Sequence, residues 1–108
     1  MPTQQDVLDS LGAAADAARQ AYMTALIANP GADLSGLYAL EMRALRLWTE
    51  AEAKALRPDQ AVAQAQADLD AQTQATRDAL RTLKDVAAWM QTLTSLVGAA
   101  TQAAGFFA

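Results

Sequence analysis

The side chains able to do chemistry in this 108-residue chain are few, and their types narrow what the protein can do. There is no histidine and no cysteine, which removes the commonest general base, the commonest metal ligand and the thiolate nucleophile together. Ser10, Ser35 and Ser95 therefore have no imidazole to activate them, and no nucleophile motif surrounds any of the three. Two carboxylate pairs, Glu50 with Glu52 and Asp68 with Asp70, have the right groups for acid–base work or for a cation. Residues two apart on a helix point in different directions, so neither pair converges on one atom and surface charge is the simpler reading. A di-iron bundle needs Glu-x-x-His elements, which a chain without histidine cannot supply. Lys54 and Lys84 have no neighbour that recommends them as bases.

The segment "NPGADLSG", residues 29–36, holds two glycines but neither the lysine of a phosphate-binding loop nor the glycine spacing of a dinucleotide fold. It reads as a turn. Two basic stripes, Arg43, Arg46, Lys54 and Arg57 in one region and Arg77, Arg81 and Lys84 in another, have near-helical spacing and could meet phosphates or an acidic partner. Acidic neighbours at Glu50, Asp78 and Asp85 dilute them, and the formal net charge is −4. A nucleic-acid binder needs a basic footprint, so nucleic acid is not an expected partner. No catalytic, cofactor-binding or metal-binding residue and no cofactor is expected, and the chain reads as a non-enzyme.

The elements that would position any site are helical. Hydrophobic residues make up 53% of the chain, and alanine alone about a quarter, with leucine, glutamine, arginine and methionine also good helix formers. Alanine buries little apolar area per residue, since each buried methylene contributes about 0.8 kcal/mol, but it lets helix axes approach closely. One small all-α domain over residues 1–108 is expected. "MPTQQDVLDSLG" has no basic region followed by an apolar run and so does not read as a secretory signal. Synthesis in the cytoplasm is the expectation, with export or incorporation into a particle left open.

Thr3 and Asp6 have capping-box spacing, and apolar positions from Val7 to Leu26 recur at helical intervals, which predicts a helix over about 4–28 ending at Pro30 and Gly31. Leu37, Leu40, Ala44, Leu47, Trp48, Ala51 and Ala55 predict a second over about 34–56. Pro58 with Asp59 starts a third, either fresh or as a kinked continuation of the second. From Val62 a seven-residue step runs through Leu69, Thr76, Leu83, Met90 and Val97, with Ala65, Gln72, Ala79, Val86 and Leu93 three residues after each. Such a sustained heptad predicts one long coiled-coil-like helix from 59 to 97 or beyond, about 60 Å in length. The expected architecture is a helical hairpin packed on the first half of that long third helix.

The second half would then be left over. It contains Val86–Ala108, 23 residues without a charged side chain. Trp89, Leu93, Leu96, Ala100, Ala103 and Phe107 share one helical face, while the opposite face is polar or small. A membrane span needs about 20 residues, but this stretch carries two glutamines and several hydroxyls, so membrane contact is not favoured. Burial inside a compact bundle is one reading. The other is contact with further subunits, with Leu80, Leu83, Val86, Trp89, Met90, Leu93, Leu96, Val97 and Phe107 as the interface, because an apolar stripe left in water aggregates. The expected function is an α-helical assembly subunit, of the kind found in a secretion apparatus or phage particle. Its expected partner is a second copy of itself or another helical protein. A small module clasping a partner helix and a tail-anchored or membrane-active protein are the alternatives.

Overall fold

A computed structural model describes residues 2–108, and every regular element among them is helical: α1 (Gln4–Ala28), α2 (Ser35–Glu52), α3 (Ala61–Ala79) and α4 (Val86–Ala104). The all-α class read from composition and periodicity holds. The body measures 45 × 22 × 16 Å, about the length of α1 plus the turns at its ends.

α1 starts where the sequence says it should. The Asp6 amide donates to Thr3 Oγ1 at 3.1 Å and the Thr3 amide donates back to Asp6 Oδ2 at 2.9 Å, closing the capping box. It ends at Asn29, after which Gly31 adopts φ +81°, a conformation other residues rarely take. The Ser35 amide donates to Asp33 Oδ1 at 3.0 Å as α2 begins.

α2 stops at Glu52, earlier than expected, and α3 begins at Ala61. Residues 53–60 are a crossover with its own partner. Ala55 and Ala108 exchange two backbone hydrogen bonds, the Ala55 amide to Ala108 O at 3.2 Å and the Ala108 amide to Ala55 O at 2.9 Å, and the Arg57 amide donates to Phe106 O at 2.7 Å. The C-terminal segment thus takes the hydrogen-bonding capacity that another turn of α2 would have used. Pro58 favours extended backbone at Arg57, which suits this pairing.

The long third helix expected from the heptads is two helices. The chain leaves the helix after Ala79, turns through Leu80–Asp85 and returns as α4. Asp85 caps the new helix, accepting from the Ala87 amide at 3.2 Å. The physical reason for folding back is burial: an extended α4 would hold Trp89, Leu93, Leu96, Val97, Ala100 and Ala103 in water, whereas the hairpin puts all six in the core.

The expected placement of helices around the third is corrected as well. α1 touches α2, α3 and α4, and α4 touches α1, α2 and α3, but α2 and α3 do not meet. The four axes form a rhombus with α1 and α4 across the short diagonal. Paired positions give the directions: Gly12 lies by Trp48 and Tyr22 by Tyr38, so α1 and α2 are antiparallel. Gln66 lies by Ser10 and Lys84 by Asn29, so α1 and α3 are parallel. The 53–60 crossover exists because α2 ends at the end of the bundle where α3 must start.

The short diagonal is made by small side chains. Ala14, Ala17, Ala18, Ala21 and Ala25 of α1 are all sealed from solvent, and α4 answers with Trp89, Leu93 and Leu96, also sealed. Thin residues on one helix receive thick residues from the other, which is how an alanine-rich chain still fills its interior. The two hydroxyls that enter the core of α3 are satisfied within their own helix: Thr73 Oγ1 donates to Leu69 O at 2.9 Å and Thr76 Oγ1 to Gln72 O at 2.8 Å. Among the described residues no buried side-chain polar atom lacks a partner.

Candidate functional site

Most of the residues expected to form an intermolecular surface lie inside the chain. Trp89, Leu93 and Leu96 are fully buried, Val97 and Phe107 nearly so, and Leu80, Leu83, Val86 and Met90 are half-buried against the same core. The uncharged C-terminal stretch is therefore the buried helix of a bundle, and what it packs against is α1, α2 and α3 of its own chain. The Trp89 indole N–H donates to Leu83 O at 3.1 Å, which satisfies the one polar atom on that face. No helix among the described residues is long and apolar enough to cross a membrane.

The charged groups stand apart. Glu50, Glu52, Asp68 and Asp70 are all exposed, and among the described residues no group of three or more metal-ligating side chains gathers. The basic stripes lose their helical basis. α2 ends before Lys54 and Arg57, and α3 ends before Arg81 and Lys84, so neither set forms one continuous face. The Arg57 guanidinium instead donates to Gly105 O at 2.6 Å, binding the crossover to the end of α4. Two carboxyls sit below the usual carboxylate range. Asp6 does so mainly because it accepts the Thr3 amide, and Asp33 mainly because it accepts the Ser35 amide. Asp6 belongs to the capping box of α1 and Asp33 lies just before the start of α2, and these backbone hydrogen bonds account for their state.

Among the described residues, the large side chains that remain exposed and apolar lie on the other hairpin. They are Met23, Leu26 and Ile27 of α1 and Tyr38 and Leu45 of α2, Ile27 at 77% of its full exposure. The antiparallel pairing of α1 and α2 sets Leu26, Tyr38 and Leu45 along the groove between the two helices, with Met23 and Ile27 exposed on α1 beside it. At its turn end Leu26, Tyr22 and Tyr38 line a shallow cleft of about 400 Å³ with Leu34 and Ser35. The two tyrosine rings meet edge to face, centroids 5.7 Å apart and planes at 62°, a preferred aromatic geometry. At the far end Leu45 and Trp48 line a second cleft of about 290 Å³ with Gly12, Ala15, Asp16, Arg19 and Glu41. Gly12 matters to its shape: a Cβ there would come within 3.0 Å of the Trp48 ring, so the indole lies directly on the α1 backbone.

The two clefts extend from Gly12 to Leu26, fourteen residues along α1 or about 21 Å. Their order is apolar, charged, apolar: Leu45 and Trp48, then Asp16, Arg19 and Glu41, then Tyr38 and Leu26, with Ile27 exposed beside that end. The sequence reading passed over them because Leu26, Tyr38 and Trp48 have the same helical spacing as core residues. Only the position of the third and fourth helices decides which apolar positions of an α1–α2 hairpin are covered. A signal was nonetheless present, since α1 and α2 together offered more apolar positions than one buried face of each helix can hold. No protein-family model matches the chain, and no curated protein or solved structure is found to be similar to it.

Proposed function

We propose that the protein is a non-enzymatic helical assembly subunit whose α1–α2 groove packs against the same groove of a second copy. The observation that carries this reading is the confinement, among the described residues, of the exposed large hydrophobic side chains to α1 and α2, while α4, the most apolar helix, has its apolar face inside the fold. Soluble proteins seldom leave such a concentration of apolar groups in water without a partner.

The order of groups along the groove favours a second copy. A two-fold rotation that reverses the groove, with its axis between Asp16 and Arg19, brings Tyr38 of one copy between Leu45 and Trp48 of the other and sets each Arg19 over the Asp16 carboxylate of the opposite copy. Apolar meets apolar and positive meets negative, as an isologous interface requires. The net charge of −4 per chain opposes association weakly, since charges farther apart than about 8 Å are screened at physiological salt. The assembly is mechanical, an anchor of Tyr38, Leu26 and Ile27 in an apolar cleft with a charged centre that fixes register.

Light scattering of the full-length chain across a wide concentration range tests the reading. A reversible dimer that Ile27→Asp abolishes without lowering the monomer's thermal stability is the expected result. Arg19→Glu should weaken the dimer and Arg19→Glu with Asp16→Arg should restore it. A chain that stays monomeric throughout, or a dimer indifferent to Ile27→Asp, overturns it, and a monomer would turn attention to a separate helical partner.

A further inference from the structure

The turn between α3 and α4 contains no element that forces a turn. Its residues are Leu80, Arg81, Thr82, Leu83, Lys84 and Asp85, with no glycine or proline, and the only positive φ among the described residues is at Gly31. Leu80 still has helical dihedrals, φ −56° and ψ −28°. Leucine, arginine and lysine are good helix formers. Locally, this segment prefers to continue α3.

The burial pattern fits a helix that serves two lobes. The seven-residue series Val62, Leu69, Thr76, Leu83, Met90, Val97 and its companion Ala65, Gln72, Ala79, Val86, Leu93, Ala100 pass through the turn, and none of these twelve positions is exposed. The fully buried Trp89, Leu96 and Ala103 of α4 lie one position before that series, in register with the exposed Asp68, Ala75 and Thr82. The core faces of the two arms therefore differ by about 100°, and a straightened helix would present them to two different partners.

Two side-chain hydrogen bonds keep the hairpin closed, and both use carbonyls that a continuous helix would reclaim. Trp89 Nε1 donates to Leu83 O at 3.1 Å and Asn29 Nδ2 to Lys84 O at 2.6 Å. In an unbroken helix Leu83 O would accept from the Ala87 amide and Lys84 O from the Ala88 amide.

We infer that Leu80–Asp85 is a hinge that can straighten into one helix from Ala61 to Ala104, about 65 Å long, and exchange α4 with a second copy of the chain. Each lobe of the exchanged dimer would consist of α1, α2 and α3 of one copy and α4 of the other, so the core contacts are all remade. Only the hinge differs: the Leu83 amide already donates to Ala79 O at 2.8 Å, Leu80 and Thr82 make the tighter three-residue bonds to Arg77 O and Ala79 O, and straightening would complete the helical ladder around them. Leu80, Leu83 and Val86, half-buried in the closed chain, would meet their counterparts where the two long helices cross. This exchange does not depend on the α1–α2 groove and leaves it open on both lobes.

The test uses the full-length chain carrying Ile27→Asp, so that groove association does not contribute, refolded from denaturant at high and at low concentration. A dimer is expected to form on concentrated refolding and to persist on dilution, because exchange back requires unfolding. Asn29→Ala removes one closing hydrogen bond and should raise the dimer-to-monomer ratio about fivefold per hinge. Val86→Pro should abolish the dimer. Proline suits the first position of α4, and Asp85 already has extended backbone at φ −73° and ψ 130°, but inside a continuous helix proline removes a hydrogen bond and clashes with the preceding turn. The chain has no native cysteine, so spin labels at Gln74→Cys and Gln91→Cys, diluted with unlabelled chain, report the intrachain distance. It should rise from that of neighbouring packed helices, about 10 Å between axes, to about 26 Å along one helix. No dimer after concentrated refolding, a dimer that Val86→Pro leaves unchanged, or a dimer retaining the short intrachain distance overturns the inference.

Discussion

Replacing Leu93 by alanine measures whether α4 belongs to the chain's own core. Leu93 is completely buried, in the middle of α4. The substitution removes three carbons from that interior, a transfer term of about 2.4 kcal/mol at about 0.8 kcal/mol per group. The space left behind adds to this, because α1 presents alanines that have no longer side chain to swing into the gap, so about 3–4 kcal/mol is expected. A domain of this size has about 5–15 kcal/mol in all. At about 2.1 cal/mol/K per residue, unfolding of the chain carries an entropy near 0.23 kcal/mol/K, so Tm should fall by about 13–17 °C. Thermal and urea unfolding followed by circular dichroism, at a concentration where the chain is monomeric, gives the value, with Ile27→Ala as the control. Ile27 is 77% exposed, and its truncation should change stability by no more than about 0.5 kcal/mol. A loss below about 1 kcal/mol for Leu93→Ala, or a loss that appears only as protein concentration rises, would refute the assignment of α4 to the monomer's core.

Further outcomes follow from single positions. Phe107 is nearly buried where the C-terminal segment meets the crossover, so Phe107→Ala should cost about 3 kcal/mol or more, and Phe106→Ala, half-buried, clearly less in the same unfolding experiment. Gly98→Ala should stabilise by about 0.5–1 kcal/mol, since a Cβ there meets nothing within 4 Å and the position lies inside α4. Gly12→Ala should fail to gain this and should shift Trp48 fluorescence, because its Cβ would reach the indole at 3.0 Å. Asp6 has a carboxyl held below its ordinary value by the Thr3 amide, so its folded-state affinity for a proton is lower than in the unfolded chain. Its contribution is present above the unfolded pKa of about 4 and is lost as pH falls through the lower folded value. Asp6→Asn should therefore flatten the decline of Tm below about pH 4, and an unchanged acid limb would show that the cap does not couple to folding.

Local signals were legible before any packing was known. The capping box at Thr3 and Asp6 placed the start of α1 to the residue, and Pro30 with Gly31 placed its end within a residue, because caps and turn residues act through neighbours a few positions away. The apolar face of α4 was also legible, in the spacing of Trp89, Leu93, Leu96, Ala100 and Ala103. What covers that face was not. Periodicity reports that a side must be buried and carries no information on whether the burying surface belongs to the same chain.

The break at Leu80–Asp85 shows where local and tertiary forces part. Local propensity favours continuation there, and the chain turns because turning buries the apolar face of α4 and supplies donors from Asn29 and Trp89 to two carbonyls. The end of α2 is decided in the same way, by the C-terminal segment, which pairs with Ala55 and Arg57 from fifty residues away. By itself, then, the sequence determined the helical class, the caps of the first helix, the absence of imidazole and thiol chemistry, and the positions that must leave water. Tertiary structure alone decided that α1 and α4 share the short diagonal, that α4 completes its own chain's core, and that the groove of Leu26, Tyr38 and Leu45 is left exposed. The physical reason is that burial is a property of pairs of surfaces, and the second surface of each pair lies far away in the chain.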